Sequence, residues 1–192
     1  ALGLAACNQQ PAAPQAETPP AAPADGATTE PAATPAPAAA PAADATASAE
    51  LTPTQGNETK GSVTFKVVDG KVHVTGQISG LKPGSEHGFH IHEKGDCSSG
   101  DGMSTGGHFN PTGKSHGNHG AGEHHTGDLP SLKADKYGVA AFSFTSNSIS
   151  LTRATTEIIG KGLIVHRDPD DYKTQPTGNA GPRLACAVIA SK

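Results

Sequence analysis

A chain of 192 residues with 24 glycines, 16 prolines and a formal net charge of −4 has material for one domain plus low-complexity sequence. Five of its eighteen acids and none of its fourteen bases lie in residues 1–50, so residues 51–192 carry thirteen acids against fourteen bases and stand near +1. Near-neutrality argues against a nucleic-acid binder, which needs a basic stripe, and no segment approaches the roughly 20 apolar residues that span a bilayer as a helix.

At the N-terminus, Leu4-Ala5-Ala6-Cys7 reads as the end of a bacterial lipoprotein signal, with Cys7 the site of cleavage and acylation. The six residues before Cys7 are too few for a complete signal, so residues 1–7 are expected to be the end of a truncated one. Residues 8–45 are Ala/Pro-rich, without an aromatic or a β-branched aliphatic side chain. Such sequence cannot bury enough apolar surface to offset its ordering entropy, and its recurring prolines block helix and ladder alike. The expectation is a disordered tether. It would hold an exported, lipid-anchored domain off a membrane surface, in the periplasm or cell envelope, with no other membrane contact.

From residue 46 to 192 the pattern is one of short strands. Residues 62–68 and 71–78 flank Asp69-Gly70, a two-residue hairpin signal. Alternation recurs over 87–93, 129–134, 137–144, 163–166 and 184–190, and no segment sustains a helical period. A first strand over 47–54 is weak by pattern. Many short strands with Gly-rich connections predict an all-β domain closed as a barrel or sandwich. Two long connections interrupt it, 95–127, rich in Gly, His and Asn, and 167–182, which holds Asp168, Asp170, Asp171 and Lys173. Loops of the first one's length in a compact domain are usually functional.

The chemistry lies in the histidines. In Gly88-Phe89-His90-Ile91-His92-Glu93 an extended chain sends residues i and i+2 to one face, so Phe89 and Ile91 face a core while His90 and His92 form half of a metal site. Downstream come His108 in Gly106-Gly107-His108-Phe109-Asn110-Pro111, then His116, then His125-Thr126-Gly127-Asp128, then His166 after Leu163-Ile164-Val165. Six histidines and a carboxylate exceed the needs of one ion and suit two ions with different ligand sets. His124, beside His125, competes for the second set.

This ordered series, with His125-Thr126-Gly127-Asp128-Leu129-Pro130 and Gly178-Asn179-Ala180-Gly181-Pro182-Arg183-Leu184-Ala185-Cys186, resembles the copper-zinc superoxide dismutases over roughly residues 46–192. The resemblance implies an eight-stranded Greek-key barrel, an immunoglobulin-like sandwich of which these enzymes are a standard example, with a first strand at 47–54 and two long functional loops. It implies copper held by His90, His92, His108 and His166, a tetragonal nitrogen set. Zinc would be held by His108, His116, His125 and Asp128, a closed tetrahedral set, with His108 bridging the ions and His125 preferred to His124 for its three-residue step to Asp128. Asp170 would link a copper ligand to a zinc ligand through their outer ring nitrogens. Arg183 would attract the substrate, superoxide, a small monoanion. The activity implied is dismutation of superoxide to dioxygen and hydrogen peroxide as copper cycles between Cu(II) and Cu(I), with His108 also serving as proton donor and zinc structuring the bridge.

The family also pairs Cys97 with Cys186, which leaves Cys7 for the lipid and suits an exported protein. The bridge would close a loop of about 90 residues, worth roughly 4–5 kcal/mol in the chain-entropy account. The resemblance also allows a homodimer. Two other functions compete, a metal-buffering lipoprotein without turnover and a dismutase-like structural module. The first gives no reason for Arg183, and the second is expected to have lost ligands.

Overall fold

The computed structural model describes residues 45–192; Cys7 and the tether up to residue 44 lie outside the described residues. Side-chain alternation builds the core. Strand β1 (Thr46–Pro53) buries Ala47, Ala49 and Leu51, β2 (Lys60–Val68) buries Val63, Phe65 and Val67, and β3 (Lys71–Ser79) buries Val72, Val74 and Ile78. Their other faces carry residues such as Glu50, Lys66 and Gln77, exposed to solvent. Between β2 and β3, Asp69 and Gly70 take φ of 50° and 73°. Both signs are those a type I′ turn requires, and the turn matches the twist of its strands.

Seven further segments complete the sheets: β4 (Glu86–His87), β5 (Phe89–His92), β6 (Leu132–Lys133), β7 (Ala140–Ser146), β8 (Gly162–His166), β9 (Arg183–Val188) and β10 (Ala190–Ser191). Eight of the ten lie in one sheet, ordered β5-β8-β9-β1-β2-β3-β7, with β10 pairing with β1. The β4–β6 ladder joins the two ends, because β4 runs into β5 across Gly88 and β6 runs into β7 through a turn. Counting β4–β5 and β9–β10 as interrupted single strands gives the expected eight-stranded Greek-key barrel. Phe89 meets Phe142 edge-on at 5.4 Å inside it.

Three strand boundaries differ from the sequence pattern. Of 129–134 only Leu132–Lys133 pairs as a strand, since Pro130 has no N–H to donate to a ladder. Residues 137–139 form a turn, in which the Asp135 carboxylate accepts the N–H groups of Tyr137 and Val139. The last run breaks at Ile189, whose N–H donates to Lys161 O.

Apart from an isolated bridge at His108, the connection 95–127 contains one regular element, a 3-10 turn over Met103–Thr105. A disulfide between Cys97 and Cys186, 89 residues apart in sequence, fastens it to β9.

Candidate metal centre

Among the described residues strand β5 pairs with no other strand on one edge, and the 95–127 connection is laced along it. Ile91 N donates to Gly127 O at 2.8 Å, Phe109 N to Ile91 O at 2.8 Å, and Gly127 N to Phe109 O at 2.8 Å. These bonds place His108 opposite His92 and Asp128 opposite His90 as isolated bridges. On the other edge β5 pairs with β8. At the end of β8 a register shift after Val165 pairs His166 with Arg183, passing over Leu184. Ligand residues distant in sequence thus converge because backbone ladders, not side chains, bring their segments together.

Two clusters result. The candidate ligand atoms of His90, His92, His108 and His166 lie within 4.8 Å of one another, as do those of His108, His116, His125 and Asp128. All of these residues are buried, and His108 belongs to both clusters. Its Nδ1 lies 2.9 Å from Asp128 Oδ1 and 3.4 Å from His125 Nδ1. Its Nε2 faces the other cluster, where His92 Nε2 and His166 Nε2 approach to 3.4 Å.

The outward ring nitrogens are tied down. His92 Nδ1–H donates to Gly106 O at 2.9 Å and His166 Nδ1–H to Gly181 O at 3.0 Å. His90 Nε2–H donates to Asp170 Oδ2 at 2.7 Å and His116 Nε2–H to Asp170 Oδ1 at 2.8 Å. A neutral imidazole that donates from one nitrogen presents a lone pair at the other. Among the described residues, His90 Nδ1, His108 Nε2 and His116 Nδ1 are buried without a hydrogen-bond partner, each a cost of about 1–3 kcal/mol if left so. His116 Nδ1 sits 3.0 Å from Asp128 Oδ1 without hydrogen-bonding to it. Two lone-pair atoms that close call for a cation between them, a proton or a metal ion. The donor sets therefore fit copper in the all-imidazole cluster and zinc in the mixed one.

Protonation follows the same geometry in the metal-free protein. Burial, reinforced by neighbouring histidines and Arg183, holds His92 and His166 well below the ordinary imidazole value. Burial pushes His108 down to about 4 despite its bond to Asp128. Burial opposes charge on His116 too, but Asp128 and Asp170 outweigh it and raise this group to about 9. Burial would raise Asp128 and Asp170, yet hydrogen bonds from their histidines hold both below the usual carboxylate range.

Arg183 lines a cavity of about 210 Å³ together with His92, His166, Met103, Thr177 and Gly181. Its guanidinium donates to Thr105 Oγ1 and Gly106 O, both at 2.7 Å, and to Gly102 O. Burial lowers its pKa somewhat, from a value high enough that it stays charged. A larger cavity, about 590 Å³ beside Arg167 and Asp168, has no ligand of either cluster in its wall.

The structure brings together every expected metal-site residue within residues 45–192 and joins Cys97 to Cys186. It also separates His124 from His125. His124 Nδ1–H donates to His125 O at 2.7 Å, outside both clusters, while His125 N donates to Asp128 Oδ2 at 2.8 Å. His87 is a buried bonding residue, its Nδ1–H on His166 O at 2.9 Å. The partly exposed His73 sits between Ser143 and Thr145. Sequence reading missed the positioning groups Gly106 O, Gly181 O and Gln175, which accepts the His116 N–H at 2.8 Å and donates to His116 O at 2.9 Å. Carbonyls carry no residue signature, and Gln175 lies 59 residues from its partner.

Residues 59–189 match the family Copper/zinc superoxide dismutase (SODC). The Superoxide dismutase [Cu-Zn] of Paramecium bursaria Chlorella virus 1 is 45% identical over 136 residues, which are 68% of this chain and 72% of the viral protein. The crystal structure of the clock protein EA4 superposes with a TM-score of 0.70 at 42% identity, covering 78% of this chain and 96% of that one.

Proposed function

The chain belongs to the copper/zinc superoxide dismutase family, oxidoreductases that use copper and zinc, and we propose the following division of labour among its residues in superoxide dismutation. His90 Nδ1 and the Nε2 atoms of His92, His108 and His166 would hold copper. His108 Nδ1, His116 Nδ1, His125 Nδ1 and Asp128 Oδ1 would hold zinc. Copper in the first set would supply a one-electron Cu(II)/Cu(I) couple, by which one superoxide leaves as dioxygen and a second as hydrogen peroxide.

Arg183 concentrates the anionic substrate at the cavity wall shared with His92 and His166. In the reduced half of the cycle His108 Nε2 would carry a proton in place of the metal and pass it to the departing peroxide, whose second proton would come from water. Its ring does not swing away meanwhile, because Nδ1 stays among His116, His125 and Asp128. Asp170 orients His90 and His116 together, coupling the two sets.

One observation carries this reading: a single buried imidazole, His108, presents one nitrogen to each cluster. The test is superoxide consumption by copper- and zinc-loaded protein against the metal-free form. Binding of both metals without metal-dependent consumption would leave a metal buffer.

Export and anchoring form part of the same proposal. Leu4-Ala5-Ala6-Cys7 and the Cys97–Cys186 bridge support an enzyme outside the cytoplasm, acylated at Cys7. Labelled fatty acid should enter the native chain and not the Cys7→Ser variant; label in both would remove the anchor.

A further inference from the structure

Two histidines of the 95–127 connection, His119 and His124, belong to neither metal cluster, yet both are arranged like ligands. His119 Nδ1–H donates to Asp128 O at 2.9 Å and His124 Nδ1–H to His125 O at 2.7 Å. A carbonyl can only accept, so in each neutral ring the proton is on Nδ1 and the lone pair on Nε2. The same arrangement holds His92 on Gly106 O and His166 on Gly181 O. Among the described residues Nε2 of His119 has no hydrogen-bond partner, and that of His124 has only the Ser148 hydroxyl at 3.3 Å.

Spacing also agrees. The His119 and His124 ring centroids are 5.3 Å apart. Pairs inside the two clusters stand at 4.9 Å for His90 and His166, 5.6 Å for His92 and His166, and 5.5 Å for His116 and His125. The edge contact of His119 with Phe144, at 5.7 Å between centroids, braces one ring. A polar cavity of about 360 Å³, lined by His124, Ser148, Thr126, Asn147 and others, gives water access to the second.

We propose that His119 and His124 form an accessory site for a divalent transition ion such as zinc, through their Nε2 atoms, with water and the Ser148 hydroxyl completing its shell. Imidazole pairs select such ions over magnesium or calcium, which prefer oxygen. Two protein nitrogens make it weaker than either four-ligand set, and Lys114 in the same cavity wall weakens it further. The backbone ties to Asp128 O and His125 O fasten both rings to residues of the zinc set without taking any of its candidate ligand atoms.

The experiment is calorimetric titration of Zn²⁺ into enzyme already loaded with one copper and one zinc. One further equivalent is expected. His119→Ala and His124→Ala should each weaken it about tenfold or more, while His73→Ala leaves it unchanged. Because a substitution at residue 124 could disturb its neighbour, crystals of the native loaded enzyme soaked in Zn²⁺ provide the second measurement. Anomalous density between the two Nε2 atoms supports the site. A titration that ends at two ions, or a third ion found away from His119 and His124, overturns it.

Discussion

His166 and Arg183 are partners across β8 and β9, brought opposite each other by the register shift after Val165. A candidate copper ligand and the cation that faces its cavity thus share one backbone pairing. Reversing the charge in Arg183→Glu should slow superoxide consumption by about 10- to 1000-fold, the general range for electrostatic capture, of which superoxide dismutases are a standing example. Metal content should be unchanged, and the native rate should fall with added salt. Pulse-radiolysis rates at several ionic strengths check this; a variant as fast as native removes the capture role.

Removing His166 should separate the two clusters. His166→Ala takes one imidazole from the first set and touches none of the second. Copper and turnover should be lost while zinc is retained, as read by metal analysis of dialysed protein. Loss of zinc with copper kept would show that the ligand division is wrong.

Asp170 bonds His90 and His116 through its two oxygens, one residue in each set. Asp170→Asn cannot accept from both with equal strength and should weaken copper and zinc binding together, by about 10- to 100-fold. Competition with a chelator measures both affinities, and a change confined to one metal would refute the coupling.

Gly178 offers the same test without altering any polar group. Its φ is 63°, and a Cβ there would run into the Asp170 carboxylate and the His116 ring. Gly178→Ala should reproduce the joint loss of metal affinity seen for Asp170→Asn. Unchanged affinities would mean that the 167–182 connection adapts.

Acid and alkali should act on the metal-free protein through different groups. His108 titrates at about 4 when folded against an ordinary value of 6.5, so the unfolded chain binds the extra proton. Stability therefore falls as pH drops from about 6.5 towards 4. Asp128 and Asp170, depressed when folded, add to that loss below about pH 4 as the unfolded carboxylates protonate first. His116, raised to about 9, contributes fully below 6.5 and loses its contribution as pH rises towards 9. Melting of the metal-free protein should be highest near neutrality, and His116→Ala should flatten the alkaline side. Calorimetry from pH 4 to 9 measures both limbs.

Much of the site was legible before folding. Strand alternation at Phe89-His90-Ile91-His92 announced a face of imidazoles against a face of core, and Asp69-Gly70 announced its turn through residues that accept positive φ. The grouping of ligands came from resemblance to a family; the structure shows which of those residues lie together, in two buried clusters that share His108. Short strands were harder, as at 129–134, where Pro130 cut the ladder despite an alternating pattern.

The sequence by itself determined the kinds of donor atom, their order, and the local period that turns His90 and His92 the same way, because these depend only on neighbouring residues. Tertiary structure decided the rest: that His125 and not His124 points at Asp128, that Asp170 spans both clusters, and that Gly106 and Gly181 lend their carbonyls to His92 and His166. Each of these is a meeting of backbone segments set by ladder register and loop path, and such meetings arise from the packing of the whole barrel rather than from any stretch of it.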